Sequence, residues 1–309
     1  VSGTIAGLCV AKNEADIIEA MARHNLGFLD FLHVVDNDSA DATPAILAAL
    51  AEEFQGRLTW DVDRRTGHLQ TTIINAGLVP LVAATGAAQV VLLDADEFIR
   101  ADRQTFRDGL LASTGSILLP WVTYVPTDED DPAEPNPIVR IRHRRKHERP
   151  QVFKATVPGA LADQARVRPG NHAVKGLGAG PASQLDGVSL AHFPVRSREQ
   201  LTSKVLVGVW NMRLRGRVSS GEAYHWRHLF ERIMSGEALT DKDVQDVANR
   251  YTARRGSSLL IDALNTQQPT TLSYTPERGE NLLRNLAAFT ERCVQMLEAR
   301  PSRPPDLGP

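Results

Sequence analysis

Over the first hundred residues, short apolar runs alternate with stretches of helical spacing. The segment 4–14, TIAGLCVAKNE, reads as a buried strand that ends in polar residues. Residues 15–28 have helical spacing, with Ile17, Ile18, Met21 and Leu26 facing inward. The pattern then repeats as a strand at 31–37, a helix at 41–54 with Pro44 in its first turn, and a strand at 58–63. A helix at 69–86 and a strand at 89–96 follow. Such alternation predicts an α/β fold whose mostly parallel sheet is flanked by helices.

Beyond Phe98 the rhythm changes. Residues 116–126 are strand-like, 127–137 form an acidic, Pro-rich loop, and 138–195 read as short strands and turns. Helical spacing returns at 197–214, where Ser197 and Gln200 make a capping box, and continues in broken segments to about residue 300. There are no internal repeats. The expected organisation is an α/β half at 1–126, a mixed α+β half at 127–299 belonging to the same catalytic unit, and a disordered Pro-rich tail at 300–309.

Composition narrows the partners. The 309 residues carry a formal net charge of −2, which gives no reason to expect nucleic acid or an anionic membrane surface. The basic run RIRHRRKHERP at 140–150 is the local exception and reads as an exposed edge kept soluble by charge. Cys9 and Cys293 form neither a disulfide framework nor a metal spacing, which fits a reducing, cytoplasmic setting. No apolar stretch approaches the roughly 20 residues of a membrane span. The chain begins with Val, without a signal-peptide pattern, as expected of a piece of something longer.

Ligands of open α/β sheets bind at the carboxyl ends of the strands. Polar clusters fall at each such end: KNE after the first strand, DNDSAD after the second, DRRTG after the third and DADE after the fourth. The last is the most telling. Asp94, Asp96 and Glu97 follow the apolar run VVLL, and closely spaced carboxylates repel unless a cation, a shared proton or solvent relieves them. Asp94 and Asp96, two apart on an extended segment, point the same way.

The stretch CVAKNEADIIEAMARHNLGFLDFLHVVDNDSADAT followed by VVLLDADEF resembles the N-terminal half of glycosyltransferase family 2-like enzymes of the GT-A fold. The similarity is to a branch with a K-N-E loop, a D-N-x-S-x-D-x-T loop and a D-x-D-E-F motif. It extends more weakly through HFPVRSREQLTSK at 192–204.

This resemblance implies a metal-dependent transfer of a sugar from a nucleotide-diphosphate donor, UDP favoured, to an acceptor hydroxyl with inversion. Surface polysaccharide or glycoconjugate synthesis is the implied setting. Asp96 would ligate Mn2+ or Mg2+, Asp94 would reach the ribose or the metal through water, and His192 would be a further ligand. Glu97 would orient a ligand or the acceptor hydroxyl. The nucleoside would meet Val10, Asn13, Glu14, Asp36 and Gln70, with Arg64 and Gly67 on the same wall. Asp41 and Thr43 read as helix caps.

His225, Trp226 and Arg227 are candidates to clamp phosphate or stack on sugar, and Trp121 is a candidate sugar platform. His172, behind the strand carrying Lys154, joins Asp128, Glu129 and Asp130 as candidate general bases. The rival readings are a sugar nucleotidyltransferase and a phosphatase of the haloacid dehalogenase class. The first would carry a Gly-rich phosphate loop, which CVAKNEAD lacks; the second would carry its aspartates after the first strand.

Overall fold

The computed structural model describes residues 3–65, 70–177, 182–214, 224–266, 271–276 and 278–298. Gly67, the side chain of His225 and the tail at 300–309 lie outside them.

In chain order the first elements are β1 (Thr4–Ala11), α1 (Ile18–Asn25), β2 (Phe31–Asp36), α2 (Thr43–Glu53), β3 (Leu58–Val62), α3 (Gln70–Thr85) and β4 (Ala87–Asp94). Next come β5 (Glu97–Arg100), α4 (Arg103–Ala112), β6 (Leu118–Thr123), a short α5 (Pro137–Arg140), β7 (His143–Arg145) and β8 (Phe153–Pro158). The chain continues through β9 (Arg166–Val167), β10 (Val174–Lys175), β11 (Ser189–His192), α6 (Arg198–Leu214), α7 (Tyr224–Met234), α8 (Asp241–Asn249), β12 (Leu259–Ile261) and α9 (Arg278–Glu298).

Eight strands form one sheet in the order β3-β2-β1-β4-β8-β6-β11-β5. The first four are mutually parallel, β6 and β11 run with them, and only β8 and β5 run against. The α/β class expected from the sequence is therefore what the chain adopts. Alternate residues feed two cores, as the period of a strand requires. Ile5 and Cys9 of β1 with Val91 and Leu93 of β4 pack under α1, α2 and α4. Ala6, Leu8, Val90 and Leu92 face α3, through Ile74, Leu78 and Leu81. A third cluster joins α6, α7 and α8 through Leu201, Val205, Leu229, Phe230 and Val244.

The sheet closes on itself. β5 follows β4 after only Ala95 and Asp96, yet it pairs on the far side of β11, four strand steps away. Flat, those steps span about 19 Å, whereas three Cα–Cα steps reach about 11 Å, so the sheet curls until its last strand returns to the end of β4. The acidic segment sits at that closure. At Gly159, after β8, an added Cβ would fall 1.8 Å from the carbonyl oxygen of Ala87, which only glycine avoids.

Several elements differ from the sequence reading. α1 is shorter than 15–28 because Glu14 O accepts from both Ile17 and Ile18 N–H, making a turn before the helix. α4 was not expected: it buries only Phe106 and Leu110, one turn apart, and is started by Asp102, whose side chain accepts from Thr105 N–H. The strand-like VRIRHR run begins as the α5 turn, capped by Asn136, before β7. In that basic run the alternation of a strand sends Arg145 inward, where it donates to Ala248 O and Tyr251 O, while Lys146, His147 and Arg149 stay exposed.

Candidate active site

The strand directions bring five groups to one edge: Asp94 at the end of β4, Trp121 near the end of β6, His192 at the end of β11, Lys154 near the start of β8 and Glu97 at the start of β5. The register sets their neighbours, with Val10 opposite Asp94 and His192 opposite both Thr123 and Glu97. A cavity of about 970 Å³ opens there, lined by Val10, Asn13, Glu14, Gln70, Asp94, Asp96, Trp121 and His192 on the strand side. That volume is at the upper end for small-molecule sites.

Asp94 and Glu97 share a buried cation. Lys154, fully buried, donates to Asp94 Oδ2 at 2.6 Å and lies 3.2 Å from Glu97 Oε1. The other Asp94 oxygen accepts from Gln70 Nε2 at 2.5 Å and Asn171 Nδ2 at 3.3 Å. Glu97 Oε1 accepts from Trp121 Nε1 at 2.6 Å, and its Oε2 from the Asp94 N–H at 2.8 Å. Burial pushes the Glu97 pKa up and Lys154 pulls it back. Burial also works against the Lys154 charge, but Asp94 and Glu97 outweigh it and hold its pKa above the ordinary value. The motif is thus a neutralised platform that fixes the Asp94 rotamer and the Trp121 ring.

Asp96 is arranged differently. Among the described residues no hydrogen bond reaches either of its carboxylate oxygens. His192 Nε2 stands 3.7 Å from Oδ1 and Arg196 Nη1 stands 3.8 Å from Oδ2, both beyond hydrogen-bond range. His192 stacks on Trp121 with centroids 3.9 Å apart, and its Nδ1 is buried without a partner among the described residues. Burial, helped by Lys154, drives the His192 pKa well below the usual value, so the ring is neutral.

A divalent cation fits this pair. Two ligands of one ion, each at about 2.1 Å, stand about 3–3.7 Å apart, and metal ligation requires a neutral imidazole. Among the described residues no group of three His, Cys, Asp or Glu side chains is placed to hold a metal alone. Ions that finish their shell with substrate phosphates need only one or two protein ligands.

The loops after β1 and β2 are stapled together. Asn13, at φ 56°, donates its N–H to Ser39 Oγ (2.8 Å) and accepts from Ala40 N–H (2.8 Å). Glu14 N–H donates to Thr43 Oγ1 and Ala15 N–H to Asp41 Oδ2. Asp41 and Thr43 therefore hold the K-N-E loop; the N-cap of α2 is Ala42, with no side-chain cap. Asp36, buried behind the wall, accepts from Ser39 N–H through Oδ2 and leaves Oδ1 without a partner among the described residues. Burial raises its pKa. Arg196 ties Glu14 (2.6 Å) and Asp16 (2.7 Å) to the start of α6. Burial pushes Glu14 up to about 7 against the pull of Arg196.

Ser197 caps α6 by accepting from Gln200 N–H, while Gln200 Oε1 reaches back to Arg196 N–H, one residue before the cap. Trp226 lines the cavity; Arg64 and Arg227 are exposed and do not. His172 is exposed, bonds Phe153 O through Nδ1 and meets Trp121 edge-on at 5.5 Å. Asp128, Glu129 and Asp130 do not line the cavity; Glu129 stands 3.7 Å from His143, and Asp130 accepts from Thr127. Residues that sequence reasoning missed are Asp16, Arg292, Asn281 and Asn285, all on the lining, which Lys12 of the K-N-E loop joins.

No family model and no curated protein matches the chain. Among solved structures it is similar to residues 1–349 of TarS from S. aureus, at 12% identity over 80% of this chain and 69% of that one, with a TM-score of 0.40. It is similar also to the same fragment in complex with UDP (14%, 75% and 72%, TM-score 0.37) and to a mycobacterial protein (22%, 39% and 41%, TM-score 0.27). Likeness of this strength bears on no reaction.

Proposed function

We propose that the protein is a glycosyltransferase that uses a divalent cation, Mn2+ or Mg2+, to transfer a sugar from a nucleotide-diphosphate donor, UDP favoured, to an acceptor hydroxyl with inversion. The observation that carries the reading is the Asp96–His192 pair, 3.7 Å apart on the floor of a cavity at the carboxyl ends of a parallel sheet.

Asp96 and His192 would hold the cation, which supplies Lewis-acid stabilisation of the charge that grows on the leaving diphosphate. The Val10–Glu14 loop, braced by Ser39, Asp41 and Thr43, forms the nucleoside wall. Asp94, fixed by Lys154 and Gln70, offers an acceptor for a ribose hydroxyl without carrying an uncompensated charge. Lys204, a lining residue whose pKa is raised by Tyr251 and Asp96 against burial, adds a fixed positive charge. Inversion needs a base at the acceptor hydroxyl. Of the four candidates, His172 touches a lining side chain, Trp121, whereas Glu129 and Asp130 face His143 and Thr127.

A phosphatase mechanism with Asp94 as nucleophile fits less well, because both of its oxygens already accept bonds from Gln70, Asn171 and Lys154. The test is release of UDP from a panel of UDP-sugars with MnCl2. Asp96→Ala should reduce the rate about 100-fold or more. Turnover unchanged in that variant, or hydrolysis of small phosphoesters in place of sugar nucleotides, would refute the proposal.

A further inference from the structure

Opposite the strand ends, the cavity wall is built by α6 and α9, and it carries polar groups that the protein leaves unsatisfied. Asn281 and Asn285 lie one turn apart on α9, 8% and 5% exposed, and both line the cavity. Asn285 Nδ2 donates to Ser203 Oγ at 3.1 Å, but its Oδ1 has no partner among the described residues. Neither Nδ2 nor Oδ1 of Asn281 has one. Most buried side-chain polar atoms in folded proteins are paired, so three orphaned carboxamide atoms on one cavity wall call for a ligand.

The chemistry of that ligand follows from the groups. A carboxamide presents donors and an acceptor side by side without charge. An anion would use only the donors and a cation only the acceptors, whereas a sugar hydroxyl gives and takes. Leu282, Val207 and Gly208 line the same wall and supply apolar surface for the C–H faces of a ring. Lys204, next to Ser203, feels the charges of Asp96 and Glu14, which sets this wall beside the proposed diphosphate position.

We infer that Asn281 and Asn285, with Ser203, form a subsite for the hydroxyl groups of a neutral sugar. The inference rests on the transferase reading for the identity of the sugar's carrier, but the subsite can be tested without it.

Calorimetric titration with UDP, UDP-glucose, UDP-galactose and UDP-N-acetylglucosamine measures how much the sugar adds to binding. Saturation-transfer NMR with methyl glycosides reads the acceptor arm. In Asn281→Leu and Asn285→Leu the sugar-dependent gain should fall about tenfold while UDP itself binds within about twofold of wild type. Loss confined to the sugar nucleotides assigns the donor sugar; loss confined to the glycosides assigns the acceptor. If the wild type fails to bind UDP yet loses glycoside binding on substitution, the subsite stands and the transferase reading falls. Sugar probes that bind wild type and both variants alike would overturn the inference, leaving the amides to hold water only. Asn281→Ser repeats the test should leucine impair folding.

Discussion

The two walls of the cavity satisfy their polar groups in opposite ways. On the strand side, Asp94, Glu97, Glu14 and Asp16 are tied to buried Lys154 and Arg196, and the loops after β1 and β2 are laced by side-chain bonds to backbone N–H groups. On the helical side, Asn281 and Asn285 keep three buried polar atoms without partners among the described residues. The contrast separates polar groups bound within the chain from polar groups that are not. Asp96 and His192 stand on the first wall yet face each other at 3.7 Å without a hydrogen bond.

The largest effect should come from removing a shared cation. Lys154→Met takes the shared cation from half-buried Asp94 and from fully buried Glu97, whose carboxyl burial then holds protonated, and should cost about 3–4 kcal/mol in urea unfolding at neutral pH. Adding Asp94→Asn and Glu97→Gln to that variant should restore much of the loss; no recovery would mean that Lys154 acts through packing alone. Next is a pH effect. His24, which bonds Ile99 O beneath β5, has its pKa lowered by burial to about 4. Between pH 6.5 and 4 the unfolded chain binds a proton there that the folded chain refuses, so this contribution to stability is full above 6.5 and is lost as the pH falls. The stability difference between wild type and His24→Gln should shrink by about 3 kcal/mol from pH 7 to pH 4. The smallest effect has the opposite sign. Asn281→Leu removes a buried amide without a partner and should raise unfolding stability by about 1 kcal/mol. A fall instead would show that the amide is paired in solution and would weaken the contrast between the walls.

Much of the strand wall was legible in the sequence, because the period of apolar residues fixes where strands end and the polar runs KNE, DNDSADAT and DADE stand directly after them. What those residues do there was less legible. Asp41 and Thr43 read as helix caps, and Asp41 Oδ1 does accept the Thr43 N–H at the start of α2, but Asp41 Oδ2 and the Thr43 hydroxyl serve a loop 26 and 29 residues earlier, a contact set by strand packing. Likewise Lys154 lies 60 residues from Asp94 and meets it only because β8 inserts beside β4. β5 was hidden because nothing local signals that a four-residue strand will return to close a curled sheet. The helical wall was least legible: NLLRN is ordinary amphipathic text until α9 packs on α6.

The central claim is that Asp96 and His192 exist to hold a divalent cation against a nucleoside diphosphate. The most direct measurement is calorimetric titration of UDP into wild type and Asp96→Asn, each with and without MnCl2. The account predicts that manganese tightens UDP binding to the wild type at least about tenfold, and that this gain vanishes in the variant. UDP affinity that is indifferent to manganese in the wild type, or a gain that survives in Asp96→Asn, would contradict it.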